Sequence, residues 1–444
     1  MEPIIKINCL QVNNLKNIEA GTIKTNSIFE NLEKSDIIGI YGQNGSGKTA
    51  VVEAFKILQT LLDLRELPNR TQKLVKSNAQ TLDLKFDYLI TNKYGEYTLK
   101  YQVKLGYRDK DENLSVFNES LIYRENQPRK RMKVLVEKIG NEIRIRNNEI
   151  SNINEDGRVK VLLANEMSYS KKTSFIFRKE YKGVRDSLMT LKEIELVDNL
   201  VHNFNKDFHV IDNSQSGIIF ANILIPFSFQ LPNSRGQLPL DLNRATLLSQ
   251  ELYTIYENII NQVNIVLKKI IPGLMVIVNK ISNETTENGD EGVRFELLSD
   301  NNGVRLPLRC ESAGVLKLIS ILSTLISVYN NPNACVVIDE LDSGIFEYLI
   351  GDLVEIIKDN GKGQLFFTSH NLRILEVLTK ENIWFTSTNP QNRFIQLKMV
   401  KKLSNMRDMY LRAVQLGGQE ESLYNETDSY SIRKAFREAG KKDV

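Results

Sequence analysis

The chain has 444 residues, 41% of them hydrophobic and 25% charged, with ten prolines and a formal net charge of +3 at pH 7. That composition excludes a low-complexity or fibrous chain and describes a globular protein long enough for two or three units. So small a charge neither demands a nucleic-acid partner nor forbids one, because local patches outweigh the sum.

Cys9, Cys310 and Cys335 lie far apart without a CxxC pair, so neither a disulfide framework nor a zinc site is expected. Two of them sit in apolar runs, the pattern of buried thiols in a reducing compartment. The opening MEPIIKINCLQVNNLKN lacks the apolar stretch of a signal peptide. The most apolar segments, 315–328 and 217–231, fall short of the roughly 20 residues of a membrane span. A cytoplasmic protein without a membrane association is expected.

In chain order, residues 4–10 and 19–24 alternate like strands around a polar NNLKN turn. The β-branched run 36–41 (DIIGIY) ends directly on a glycine-rich loop, and 50–64 carries apolar residues at helical spacing. Residues 81–90, 95–105 and 119–124 predict an antiparallel sheet, and 130–150 is charged and strand-like. Helices are expected over 165–205 and 242–271, the second closed by Pro272-Gly273. Strands resume at 274–281 and 293–298. A helix over 312–329, a buried strand over 334–338, a helix over 346–358, a strand over 364–368, a short helix and a strand over 384–386 then follow. That βαβα alternation predicts a parallel sheet with helices on its faces. The expected units are 1–150 and 276–400 as two parts of one head, 151–275 as a mainly helical insertion, and 401–444 as a tail.

Gly42-Gln43-Asn44-Gly45-Ser46-Gly47-Lys48-Thr49 satisfies the P-loop pattern GxxxxGK[ST], between a strand and an amphipathic helix that continues from Ala50. Such a loop turns backbone N–H groups toward phosphates, and the helix adds the positive end of its dipole. Lys48 would neutralise the β- and γ-phosphates, and Thr49 would offer its hydroxyl to Mg²⁺. Later, Ala334-Cys335-Val336-Val337-Ile338 delivers Asp339 and Glu340 to a strand end. There Asp339 can hold Mg²⁺, and Glu340 can orient or deprotonate the attacking water. Glu311-Ser312-Ala313-Gly314 opens an apolar helix; alone, Ser312 would pass as a cap. Leu341-Asp342-Ser343-Gly344 would pass as a turn, and His370 as an exposed strand-end histidine.

Together and in this order, these elements resemble the ABC-type ATPases, and among them the SMC, RecF and OLD relatives. The GQNGSGKT loop and the FFTSHN strand look most like the stand-alone ATPases of bacterial antiphage and abortive-infection systems. The resemblance covers about 1–110 and 290–400. It implies an α/β ABC-type ATPase head with a mixed sheet core, an N-terminal antiparallel β subdomain and a helical insertion. ATP and Mg²⁺ would be bound at Gly42–Ala50, with Thr49 and Asp339 on the metal and Glu340 and His370 in catalysis. Ser312 and Gly314 would be the signature that reaches a partner's γ-phosphate, and Asp342 the D-loop residue across a homo-dimer or higher homo-oligomer. A separate effector protein and a sensor or regulator role in antiphage defence are implied; DNA remains a possible ligand. The signature is ESAG rather than LSGGQ, and Gln72, Gln80 and Gln102 all stay open as the Q-loop residue.

The residues after His370 hold no DxD pair, so no nuclease domain is expected in this chain. Arg129, Lys130, Arg131 and Lys133, and the tail set Arg433, Lys434, Arg437, Lys441 and Lys442, could touch phosphates but read better as solvated faces. Two other functions stay open: an SMC/RecF-like factor acting directly on DNA, and a nucleotide-gated scaffold that sequesters a toxin with little turnover.

Overall fold

The computed structural model describes residues 2–107, 114–146, 148–212, 224–230, 235–242, 244–398, 405–424 and 428–440. The chain begins with the hairpin β1 (Ile4–Leu15) and β2 (Ile18–Lys24), followed by β3 (Asp36–Tyr41) and α1 (Lys48–Leu62). Strands β4 (Thr81–Asn92), β5 (Gly95–Tyr107), β6 (Leu114–Glu125), β7 (Lys133–Ile139), β8 (Glu142–Ile145) and β9 (Asn148–Glu149) extend that hairpin. The result is an eight-stranded antiparallel sheet in the order β2-β1-β4-β5-β6-β7-β8-β9. Alternation over 82–88 and 97–103 buries Leu82, Leu84, Phe86, Tyr88, Leu99, Tyr101 and Val103.

Helices α2 (Glu155–Ser170), α3 (Lys182–Ser187) and α4 (Leu191–Asp198) lead to β10 (Phe208–Ile211), the paired strands β11 (Leu224–Gln230) and β12 (Arg235–Asp241), and β13 (Thr246–Ser249). A lobe follows, made of α5 (Gln250–Ile270), β14 (Leu274–Thr285), β15 (Glu291–Asn301) and β16 (Val304–Pro307). β15 pairs with β13, β14 and β16. Then come α6 (Ala313–Asn330), β17 (Cys335–Ile338), α7 (Glu347–Asn360), β18 (Gln364–Thr368), α8 (Leu372–Val377), β19 (Ile383–Thr386) and β20 (Phe394–Ile395). Helices α9 (Met406–Leu416) and α10 (Ser429–Ala439) complete the described elements.

The second large sheet runs β10-β17-β18-β3-β19-β20, with its first five strands parallel. Both faces of its central strands are covered, which is why they read as unbroken apolar runs. Ile38, Ile40, Cys335, Val337 and Phe366 join the core built on α1 and the antiparallel sheet. Ile37, Tyr41, Val336, Ile338, Leu365 and Phe367 join the core built on α7 and α8. Helix α6 belongs to two cores: Leu316, Leu318, Ile319 and Leu322 pack into the lobe, whereas Ile321, Leu325 and Val328 pack under the parallel sheet. By length and composition α6 could cross a membrane, but 56% of it is buried inside the protein.

The head architecture expected from the sequence is present, and its departures have local causes. The helix expected over 165–205 stops at Ser170, because Lys172 turns left-handed (φ 48°) and the chain folds inward. There Ser174 Oγ and the Phe175 amide donate to the buried Glu119 carboxylate. The helix expected over 242–271 begins only at Gln250: Thr246–Ser249 pairs with β15, and the Ser249 hydroxyl caps the helix through the Leu252 amide. The segment read as helical also supplies β10, which pairs with β17 at the rim of the parallel sheet.

Candidate functional site

Parallel strands present their C-terminal ends at one edge, so β3, β10, β17, β18 and β19 open onto a common rim. The loop 42–47 leaves β3 there and closes on itself. The Lys48 ammonium donates to the carbonyls of Gly42 at 2.9 Å and Gln43 at 3.1 Å. Burial holds Lys48 below its ordinary pKa, against the pull of Asp339, Glu340 and Asp342. Gly42 lies at φ 153°, and a Cβ there would stand 1.7 Å from Thr386 Oγ1. That threonine, at the end of β19, approaches Ser46 Oγ to 2.6 Å and the Tyr41 carbonyl to 3.2 Å. From the other side, Asn17 Nδ2 in the β1–β2 turn donates to the Gly45 carbonyl at 2.5 Å. The loop is thus braced by two residues remote in sequence.

At the end of β17, Asp339 is buried, and its Oδ1 accepts from the Thr368 hydroxyl at 2.5 Å. Its Oδ2 is buried without a hydrogen-bond partner. Burial pushes the Asp339 carboxyl above the usual range, opposed by the Thr368 and Thr49 hydroxyls. Glu340 follows in a left-handed conformation (φ 49°), uncommon for a residue with a side chain. Its amide donates to Thr368 Oγ1 at 2.8 Å, and its carbonyl accepts from the Ser343 amide at 3.0 Å. Asp342 Oδ2 accepts from the His370 amide at 3.3 Å, and Asp342 Oδ1 is buried without a partner. The exposed His370 is held below its ordinary pKa by partial desolvation and then by the Lys48 charge, against Asp342 and Glu340.

The start of α6 reaches the same segment. Ser312 is exposed, and its hydroxyl accepts from the Val315 amide at 3.3 Å, an ordinary N-cap. Gly314 packs on the turn after Glu340 so closely that a Cβ would stand 2.0 Å from the Gly344 carbonyl. Lys317, 1% exposed, donates its ammonium to the Glu340 carbonyl. Burial pushes Lys317 down to about 8 against the carboxylates of Asp342, Glu340 and Asp339.

The structure therefore brings Lys48, Thr49, Asp339, Glu340, Asp342 and His370 to one rim, with Ser312 and Gly314 beside the turn that carries Asp342. Asn44 and Gly45 are exposed on the loop, and Ala50 is buried behind it. Motif spacing does not reveal Asn17, Thr368 or Thr386, whose roles depend on contacts across the fold. Lys317 had a signal, as a lone cation within an apolar helical run. None of the three glutamines left open is on a strand of the parallel sheet: Gln72 is in a 3-10 turn, Gln80 precedes β4, and Gln102 pairs with Lys85 in the antiparallel sheet. Of the basic sets, Lys130 pairs with Glu125 at 2.8 Å, and Arg433, Lys434 and Arg437 are exposed on α10. Lys441 and Lys442 lie outside the described residues. Cys9 and Cys335 are buried, and Cys310 is exposed.

Residues 37–376 match the family described as AAA domain, putative AbiEii toxin, Type IV TA system. Among solved structures, the Smc head domain with a coiled coil and joint from Pyrococcus yayanosii is similar at 11% identity, over 92% of this chain and 100% of that chain, with a TM-score of 0.42. The SMC head domain from Thermotoga maritima is similar at 12% identity, over 89% of this chain and 100% of that one, with a TM-score of 0.38. No curated protein matches the sequence.

Proposed function

Because the chain belongs to the AAA-domain family described as putative AbiEii toxin, Type IV TA system, and folds as the α/β head expected of an ABC-type ATPase, we propose that it hydrolyses ATP in a site shared by two copies. The observation that carries this reading is the convergence of Lys48, Asp339, Glu340 and His370 at one rim, with the buried Asp339 Oδ2 left without a hydrogen bond. An unbonded buried acceptor beside a threonine hydroxyl fits a hard cation, so Asp339 and Thr49 would hold Mg²⁺. When bound, that ion offsets the charge of the phosphate oxygens.

The chain's own groups supply the rest. The loop amides and Lys48 hold the phosphates. The Glu340 carboxylate orients the attacking water and takes its proton, and His370 contacts the γ-phosphate from the end of β18. Ser312 and Gly314 face the nucleotide of a second copy, and Asp342 meets that copy across the interface. The family description supports a further role: the ATP-joined pair acts as a regulator, in antiphage defence, of a separate effector protein whose release or activation follows hydrolysis.

Mixing two inactive variants tests the shared site. Lys48→Ala removes the phosphate cation from one copy, and Ser312→Arg blocks the helix start of the other. A mixed dimer gathers both lesions into one site and leaves the second intact. With random pairing, the mixture should regain about a quarter of the wild-type ATPase rate. A Ser312→Arg protein that hydrolyses ATP at the wild-type rate would make Ser312 a helix cap and nothing more.

A further inference from the structure

Lys317 is a cation in the second turn of a helix whose neighbouring side chains fill two apolar cores. Burying an ammonium carries a desolvation cost unless it is hydrogen-bonded. It donates to the backbone carbonyl of Glu340, a residue held in a conformation that most side chains avoid. Thr368 fixes the Glu340 amide, and Ser343 and Lys317 share its carbonyl. Lys317 is the contributor from α6, about 7.5 Å along the axis from Ser312. A helix transmits displacement as a rigid body, and this one is rooted in both the lobe and the core. Gly314 against the Gly344 carbonyl makes a second tight contact between α6 and the same turn.

Resting on the shared-site reading, we infer that Lys317 is a positioning residue: it ties the partner-facing start of α6 to Glu340 of the same chain. The strut from Lys317 sets the backbone that aims Glu340 in the copy's own site, so its effect stays within its own chain. The start of α6 and the base of the same chain are thereby linked through one side chain, and each site depends on the Lys317 of the chain that supplies its Glu340.

Lys317→Met keeps most of the length and the apolar stem but removes the donor. It should bind ATP within about twofold of wild type and lower kcat by about 10- to 100-fold, the loss expected for a misplaced group. Lys317→Arg, which restores a donor, should recover at least part of that loss. Unchanged kcat in Lys317→Met overturns the proposal. Mixing then separates positioning from mere support of the helix. Lys317 acts on its own chain's base, so Lys317→Met mixed with Ser312→Arg places both lesions in one site and should regain activity, whereas Lys317→Met mixed with Lys48→Ala should stay inactive. The reverse pattern overturns the proposal, because Lys317 would then shape only the surface shown to the partner. Recovery in both mixtures, or in neither, overturns it as well. The mixture of Lys48→Ala with Ser312→Arg is the control: if it stays inactive, the shared site itself fails, and if it recovers, the other two mixtures bear on Lys317 alone.

Discussion

The loop at 42–49 and the helix start at 312–314 belong to one rim, yet the chain completes only the first. Lys48 already bonds two carbonyls of its own loop, while Thr386 and Asn17 clamp that loop from β19 and the β1–β2 turn. Ser312 is exposed, its hydroxyl engaged by a backbone amide of its own helix. Gly314 and Lys317 press on the 340–344 turn, whereas Ser312 faces solvent. Pre-organisation therefore stops where a second copy would begin. On the proposed reading, a chain with this division would bind nucleotide alone and need a second copy for chemistry.

Breaking the finished half should be felt in binding itself. Lys48→Ala removes a charged donor worth about 1.5–3 kcal/mol, so ATP affinity measured by calorimetry should fall by about 10- to 100-fold. Wild-type affinity in that variant would dissolve the distinction between the two regions. Glu340→Gln leaves both regions intact and removes the base. Turnover should fall by about 10²- to 10⁴-fold at unchanged ATP affinity. Light scattering should then show an ATP-dependent pair that persists, and normal hydrolysis would place the base elsewhere.

Thr386→Val sharpens the comparison by loosening one clamp on the loop. One ordinary hydrogen bond is worth about 1 kcal/mol, so ATP affinity should weaken about fivefold while kcat stays near wild type. A fall in kcat instead would show that the clamp serves the reaction rather than the cradle. The smallest effect concerns the inner face of α6. Lys317 is pushed down to about 8, below its ordinary 10.5, so the folded chain holds that proton less tightly than the unfolded chain. Folding then gains as pH rises from about 8 to 10.5, and the unfolding midpoint of wild type minus that of Lys317→Met should rise across the window. A flat difference would mean that the ammonium is as open to water as Ser312.

Much of the cradle was legible because its chemistry is local. Gly42 to Thr49 must be consecutive for a backbone to wrap a phosphate, and the apolar run 335–338 must be continuous because both faces of that strand are buried. β10 escaped notice for the same reason read in reverse: four residues after a helical stretch carry too little pattern to be told from its last turn. Lys172 ended the expected 165–205 helix through a left-handed backbone that neither composition nor periodicity shows. Thr386 and Asn17 carry no motif, since what makes them matter is a loop more than 300 residues away for one and 28 residues away for the other. Lys317 was visible as an anomaly in the sequence, but its target was not.

The position of β3 between β18 and β19 also sets a timetable. β3 ends at Tyr41, while the strands on either side of it begin at Gln364 and Ile383. β1 is stitched to the same late region, its Ile5 amide donating to Asn333 Oδ1 at 2.9 Å and its Ile7 amide to Gln364 Oε1 at 2.7 Å. At roughly 5–20 residues per second on the ribosome, the phosphate loop emerges on the order of 15–65 seconds before its supports. Throughout that interval β3 is an apolar ribbon with both edges bare, open to pairing with other nascent chains. The clamp from Thr386 comes later still. A nascent chain interrupted before that point carries the full nucleotide motif but lacks the contacts that hold it in shape.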